Sequence, residues 1–388
     1  MNLDTALTRL GRASESFDGL VNAPVCRTST YLYPTVAAFE AAAGNKHGSL
    51  YYGRFGNQTS KLLQDACCAL DGGHEAMLFP SGLAAITRVL GALLQPGDHL
   101  LMVDSVYGPV RAFCEDELPR LGISTSWYAP QDLAGARAAV RDTTRLIYCE
   151  SPGSMTFELQ DIRGLAELAR ASGLISVIDN TWATPYLFRP LEHGIDIAIQ
   201  SASKYLSGHS DVMLGVAVAN DGCRDVLRRS AASYGNSVSA DDCYLTLRGM
   251  RTLGVRMARH QQGALQLAHW LSARPEVAAV HHPGLPESPD HALWLRDFDG
   301  ASGLFAIEFA VRHDAAEVHA FVDALQMFGI GASWGGFESL ALPALHLRRN
   351  FEGRVQGPVV RFSIGLEDPQ ELIEDLERAL VRTFSPSR

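Results

Sequence analysis

From about residue 60 to about 245, short apolar runs alternate with stretches of helical period. The runs Ala76–Phe79, His99–Val103, Leu146–Cys149, Ile175–Ile178, Ile195–Gln200 and Leu214–Ala219 read as buried strands. Between them, Leu83–Leu94 and Asp161–Ser172 read as helices, the second opened by a capping aspartate and closed by Gly173. Strands that alternate with crossover helices predict an α/β fold with a mostly parallel central sheet. Such sheets take their ligands at the carboxyl ends of the strands. Residues 1 to about 50 lack this periodicity and carry Pro24 and Pro34, as an arm packing on a neighbouring subunit would. Near 250 the character changes: a long helical stretch over about 240–273 leads to a smaller α+β region. Its strands are expected at Gly303–Phe309 and Val359–Ile364, and its closing helix at Pro369–Phe384. Alternation in Val359–Ile364 puts Arg361 on the face opposite Val360, Phe362 and Ile364. The expected division is an arm over 1–55, a large α/β domain over 56–245 and a C-terminal α+β domain over 246–388.

Bulk composition narrows the function classes. With 388 residues, 47% hydrophobic and 20% charged, the chain has the make-up of a soluble globular protein of about two domains. Its formal net charge of -10, unrelieved by any basic stripe, argues against a nucleic-acid binder. No run approaches about 20 apolar residues, so no membrane span is expected. The first residues, Met1–Arg9, lack the charged-then-apolar pattern of a secretory signal, and a cytoplasmic address is the expectation. Seven cysteines, odd in number and without C-x-x-C spacing, do not make a disulfide framework or a zinc site. His281 and His282 read as ordinary loop or surface histidines, and no metal is expected.

Lysine usage points to the chemistry. Lys46, Lys61 and Lys204 are the only lysines in the chain. Lys204 follows the strand-like run ending at Gln200 and is flanked by Ser201, Ser203 and Tyr205. An isolated lysine is usually a solvated charge. One delivered by a buried strand has its amine pKa lowered by desolvation and can attack a carbonyl, as Schiff-base formation requires. Twenty-five residues upstream, the run Leu174–Ile178 ends in Asp179, placed to hold a pyridinium nitrogen protonated. Together the pair suggests pyridoxal 5'-phosphate, which also needs a phosphate cup and a stacking surface. Ser81, Gly82 and Leu83, between a strand and a helix, are candidates for the cup, with hydroxyls from Ser201 and Ser203. Tyr107, in Asp104-Ser-Val-Tyr107-Gly108, is the candidate for stacking.

These segments, with Tyr52-Gly-Arg54-Phe-Gly-Asn57 and Val360-Arg361-Phe-Ser-Ile-Gly365, occur in the order seen in a known family. Over nearly its full length the chain resembles the Cys/Met-metabolism family of pyridoxal-phosphate enzymes, fold type I. The resemblance implies that Lys204 is the Schiff-base lysine and proton shuttle, Asp179 the partner of the ring nitrogen and Tyr107 the stacking residue. It implies that Ser81, Gly82, Leu83, Ser201 and Ser203 line the phosphate cup. Tyr52 and Arg54 match residues that reach the phosphate of an adjacent subunit, which implies a homo-oligomer, at least a dimer and expected to be a tetramer. Tyr52 would also border the substrate. Arg361 matches the arginine that clamps the substrate carboxylate.

Within the family, Ser333-Trp334-Gly335-Gly336 looks like the bacterial cystathionine β-lyases. That likeness implies a sulfur amino acid substrate, with Ser333 and Trp334 in its pocket. L-Cystathionine would give homocysteine, pyruvate and ammonia. The nearest rival is a γ-lyase or γ-replacement enzyme of the same family. Methionine γ-lyases carry cysteine two positions after the stacking tyrosine, where this chain has Pro109. Phe55, Asn57 and Ala332 depart from the β-lyase pattern and leave room for another cysteine S-conjugate. A binding protein without turnover would be expected to lack Lys204, Asp179 or Arg361, and all three are present.

Overall fold

The computed structural model describes residues 2–344, 347, 349–351, 353 and 355–384. Seven strands form the first sheet: β1 (Glu75–Phe79), β2 (His99–Val103), β3 (Ser124–Tyr128), β4 (Thr144–Glu150), β5 (Ile175–Asp179), β6 (Ile197–Ser201) and β7 (Gly215–Ala219). Their order is β1-β7-β6-β5-β4-β2-β3. Only β7 runs against the others, pairing antiparallel with both β6 and β1. The reversal follows from the sequence. Residues 202–214 hold no helix to carry the chain back over the sheet, so it turns directly into β7. Lys204 sits on that turn.

The expected strands all form, with ends shifted by one or two residues. β3 had no apolar signal, because Ser-Thr-Ser-Trp-Tyr lies at the sheet edge and is mostly half-exposed. The helix Gly82–Leu93 is capped by Ser81, whose side chain accepts from the N–H of Ala84. Asp161 caps Ile162–Ser172 in the same way, and Gly173 closes that helix at φ +66°.

The second sheet contains β8 (Val277–His281), β9 (Leu304–Phe309), β10 (Leu340–Ala344) and β11 (Val359–Ser363), in the order β10-β11-β9-β8 and antiparallel throughout. β10 contains Pro343, tolerated because the strand lies at an edge where one side needs no ladder donor. Val360 and Phe362 face a second core with Phe305, Phe309 and Phe321. Arg361, between them, points the other way.

The helical stretch expected over 240–273 is two helices, Ala240–Met250 and Leu253–Ser272. The break follows from Gly249, whose carbonyl accepts from Thr252 N (3.1 Å) and from the buried Arg256 Nη2 (2.8 Å). The second helix belongs to both cores. Leu253 and Met257 pack in the large one, and Ala264, Leu267 and Leu271 in the small one. Of the amino-terminal stretch, helix Leu3–Arg9 buries Leu7 in the chain's own large core, whereas Leu32 (94%) and Val36 (73%) are exposed. His281 and His282 are not surface residues. Burial pushes the His282 imidazole down to about 4, and its Nδ1 accepts from Gly284 N at 2.9 Å. No described helix is long and apolar enough to cross a membrane.

Candidate active site

β5 and β6 are neighbours in parallel register, with Asp179 opposite Ile199, so Asp179 and the turn bearing Lys204 emerge at the same sheet edge. Asp179 is oriented by its own strand end. The N–H and hydroxyl of Thr181 both donate to its Oδ1, and the Thr181 hydroxyl accepts from Ser201 N at 2.8 Å. Oδ2 receives no hydrogen bond from the described residues. Burial raises the Asp179 carboxyl, opposed by the Thr181 hydrogen bonds and by the charge of Lys204. The Lys204 amine is pushed down to about 8, mainly by burial and further by the Arg361 cation, against the pull of Asp179.

The cup residues converge on backbone. A Cβ on Gly82 would lie 2.7 Å from Ser201 Cβ, and one on Gly215 would lie 2.2 Å from Ser81 O, so three segments meet where only glycine fits. The Ser81 hydroxyl and carbonyl take the N–H groups of Ala84 and Ala85. The N–H groups of Gly82 and Leu83 remain at the start of a twelve-residue helix, which makes a good seat for an anion. Ser203 departs from the sequence expectation. Its hydroxyl donates to Leu214 O (3.2 Å) and accepts from Leu214 N (2.9 Å), pinning the reversal turn, so it would have to rotate to meet a phosphate.

The second sheet supplies the opposite wall. Arg361 is 8% exposed, and burial pulls its guanidinium down to about 10, so it stays charged at neutral pH. Its Nη2 donates to Ser333 O (3.0 Å), and no carboxylate of a described residue pairs with it. Ser333 Oγ accepts from Lys204 Nζ at 2.6 Å, and the same ammonium lies 5.4 Å from the Trp334 ring centre. Gly335, at φ +82°, brings this turn against Lys204: a Cβ there would sit 3.3 Å from Lys204 Cβ. The glycine after Trp334 is therefore what lets Ser333 touch the lysine.

Tyr107 is 45% exposed at the carboxyl end of β2, close enough to Arg361 and Asp179 for their charges to act on its hydroxyl. Its N–H donates to Glu150 Oε2 at 2.8 Å. Sequence reasoning missed Glu150, although it ends β4 directly opposite Asp179 in register and the strand-end rule that picked out Asp179 applies equally. Tyr52 and Arg54 lie apart from this cluster. Tyr52 bridges to Thr30, and Arg54 stacks on Phe55 (4.3 Å) and donates to Ala232 O (3.1 Å).

A lysine with a depressed amine, a strand-end carboxylate with one open oxygen and an anion seat at a helix start fit pyridoxal 5'-phosphate. The fold and site thus define a pyridoxal-phosphate enzyme. The family description "Cys/Met metabolism PLP-dependent enzyme" matches residues 4–381, and the chain belongs to that family. It is 43% identical to the cystathionine beta-lyase of Bordetella avium, covering 98% of each chain. It is 38% identical to the L-alanine/L-glutamate racemase of Wolbachia pipientis, again over 98% of each. The solved cystathionine gamma-lyase of Lactobacillus plantarum, complexed with L-serine, superposes with a TM-score of 0.91 at 29% identity, covering 99% of each chain.

The lowered Lys204 amine has a measurable consequence. In cofactor-free protein the reactive free amine grows about tenfold per pH unit below its pKa. Cofactor uptake should therefore accelerate from pH 6 to about 8 and then level off. Stopped-flow absorbance gives the rates, and a flat profile over that range would contradict the lowered amine. Because the folded value lies below the unfolded 10.5, Lys204 costs stability below about pH 8. That cost is relieved as pH rises from about 8 towards 10.5.

Proposed function

We propose that the chain is a carbon–sulfur β-lyase that consumes water and L-cystathionine to give homocysteine, pyruvate and ammonia. The observation that carries this reading is Arg361, a buried cation without a carboxylate partner among the described residues, facing the Lys204–Ser333 pair. A planar guanidinium so placed suits an α-carboxylate, which it can grip with two parallel hydrogen bonds. In this reading Arg361 sets the substrate so that its Cα–H faces Lys204, and Ser333 holds the amine by its hydroxyl. Lys204 removes the Cα proton as a free amine, which its lowered pKa favours near neutral pH. Asp179 keeps a proton on the cofactor's ring nitrogen, and Tyr107 covers the ring face. When bound, pyridoxal phosphate supplies the electron sink that makes the Cα proton removable.

Ser81, Gly82, Leu83 and Ser201 would hold the phosphate, with Ser203 completing the cup once its hydroxyl turns from Leu214. Tyr52 and Arg54 of the partner subunit would reach it from outside, since each chain's own pair sits away from its own lysine. Exposed Leu32, Val36 and Phe39 support burial of the part of the 1–55 arm around 32–39 on such a partner. We infer a cytoplasmic homotetramer, and the mass in solution checks the assembly. The large domain would span 56–245 and the C-terminal domain 246–388, with helix Leu253–Ser272 packing in both cores.

Trp334 beside the lysine and Pro109 after the stacking tyrosine favour β- over γ-elimination, as does the 43% identity to a β-lyase. Incubation with L-cystathionine followed by identification of the keto acid is the test. Pyruvate with homocysteine is expected. 2-Oxobutyrate with cysteine would make the enzyme a γ-lyase. Neither keto acid, with loss of optical activity from an amino acid, would make it a racemase.

A further inference from the structure

Between β10 and β11, the described residues Leu347 and Arg349–Phe351 contact the first sheet's domain. Leu347 packs against the large core, and Arg349 ties its own segment to two other stretches of chain. Its Nη1 donates to Asp104 O (2.7 Å), and its Nη2 to Ser154 O (3.1 Å) and Thr156 Oγ1 (2.6 Å). The neighbouring backbone is fixed too. The N–H groups of Asn350 and Phe351 donate to the buried Asp104 carboxylate at 2.9 and 3.2 Å, and Arg111 pairs with it at 2.5 Å. Asp104 stands three residues before Tyr107.

Ser154 and Thr156 flank Met155, which has φ +70°, a conformation that an L residue keeps only when its surroundings hold it there. The Met155 sulfur lies 4.0 Å from Arg361 Nη1. The Nη2 of Arg361 is thus bonded to Ser333 O, while its Nη1 touches a thioether whose two chain neighbours Arg349 grips.

We propose that Arg349 is a positioning residue for the substrate carboxylate. By holding Ser154 and Thr156 it keeps Met155 against Arg361 and so sets the aim of the Arg361 fork. This rests on the reading of Arg361 as the carboxylate clamp, but not on which bond of the substrate breaks. Without the brace, residues 154–156 keep the Ser154 N–H to Ser105 O bond and the Thr156 bond to Glu158 but lose the tie to Arg349, and the Arg361 fork gains freedom that a carboxylate must then remove. Ligands without a carboxylate are indifferent to the change.

The test uses holoenzyme and two ligands without a leaving group at Cβ, L-alanine and L-alaninamide, titrated by the change in cofactor absorption. Arg349→Met is expected to weaken L-alanine about tenfold, a modest misalignment effect, and to leave L-alaninamide within about twofold. The absorption of the unliganded enzyme is expected to stay as in wild type. Arg349→Lys, which keeps the charge and can reach one or two of the acceptors, should recover part of the loss. It also carries the same comparison if the methionine variant does not fold. Equal weakening of both ligands, or of neither, overturns the proposal. Wild-type enzyme that prefers L-alanine yet forms no pyruvate from cystathionine would sink the β-lyase reading alone. Wild type that binds the two ligands alike would remove the Arg361 grip, and the brace with it.

Discussion

Replacing Lys204 by alanine is expected to cut pyruvate formation from L-cystathionine by about four orders of magnitude, the upper range for loss of a positioned general base. No other amine can take over. The chain has two further lysines, and both are engaged elsewhere. Lys46 lies 5.7 Å from the Tyr51 ring centre, and Lys61 donates to His47 O at 2.6 Å. Nor does a described carboxylate replace it. Asp179 is tied at Oδ1 by Thr181, and Glu150 is turned to the Tyr107 N–H. Added small primary amines should restore part of the rate, because the gap left by the side chain borders the exposed Ser333. Activity within tenfold of wild type, measured as pyruvate released, would mean that the proton is moved by some other group.

Arg361→Ala is expected to lower kcat/KM by two to three orders of magnitude, with most of the loss in KM. Two charge-assisted hydrogen bonds disappear, together worth about 3–4 kcal/mol, and each 1.36 kcal/mol is about tenfold. Arg361→Lys should recover only a fraction, since an ammonium cannot match a carboxylate with a planar fork. A second readout separates this role from a general loss of packing. The Arg361 cation helps to depress the Lys204 amine, so its removal should shift the pH profile of cofactor uptake towards higher pH. Unchanged catalytic efficiency, or a profile shifted to lower pH, would remove Arg361 from the site.

Much of the large sheet was legible because its buried strands are short apolar runs. Asp179 and Lys204 could be read for the same reason: Asp179 ends such a run, and Lys204 follows one on the turn after β6. β3 was not legible because Ser-Thr-Ser-Trp-Tyr carries little apolar signal, and Pro343 obscured β10, whereas β1, also at an edge, could be read because all but its first residue are buried. Arg361 could be assigned to a face by alternation, but its lack of a carboxylate partner is a property of the tertiary fold alone. Arg349 gave no signal at all. Its acceptors Ser154 and Asp104 lie 195 and 245 positions away in the chain, and no local pattern encodes such a meeting. The tie of Ser203 to Leu214 was not legible, because a hydroxyl beside the lysine reads the same whether it faces a ligand or holds its own turn.

The register of β5 with β6 places Asp179 and the lysine turn on adjacent strands of one hydrogen-bonded ladder, whereas Arg361, Ser333 and Trp334 arrive from the other sheet. The parts that, in the proposed reading, would handle electrons are therefore locked to one another by main-chain bonds. The parts that, in the proposed reading, would choose the amino acid belong to a separate layer. Substitutions in that second layer can retune which side chain is accepted, or which bond is presented for cleavage, while the ladder holding the ring partners stays intact. A scaffold divided in this way can exchange one reaction for another without rebuilding its electron sink.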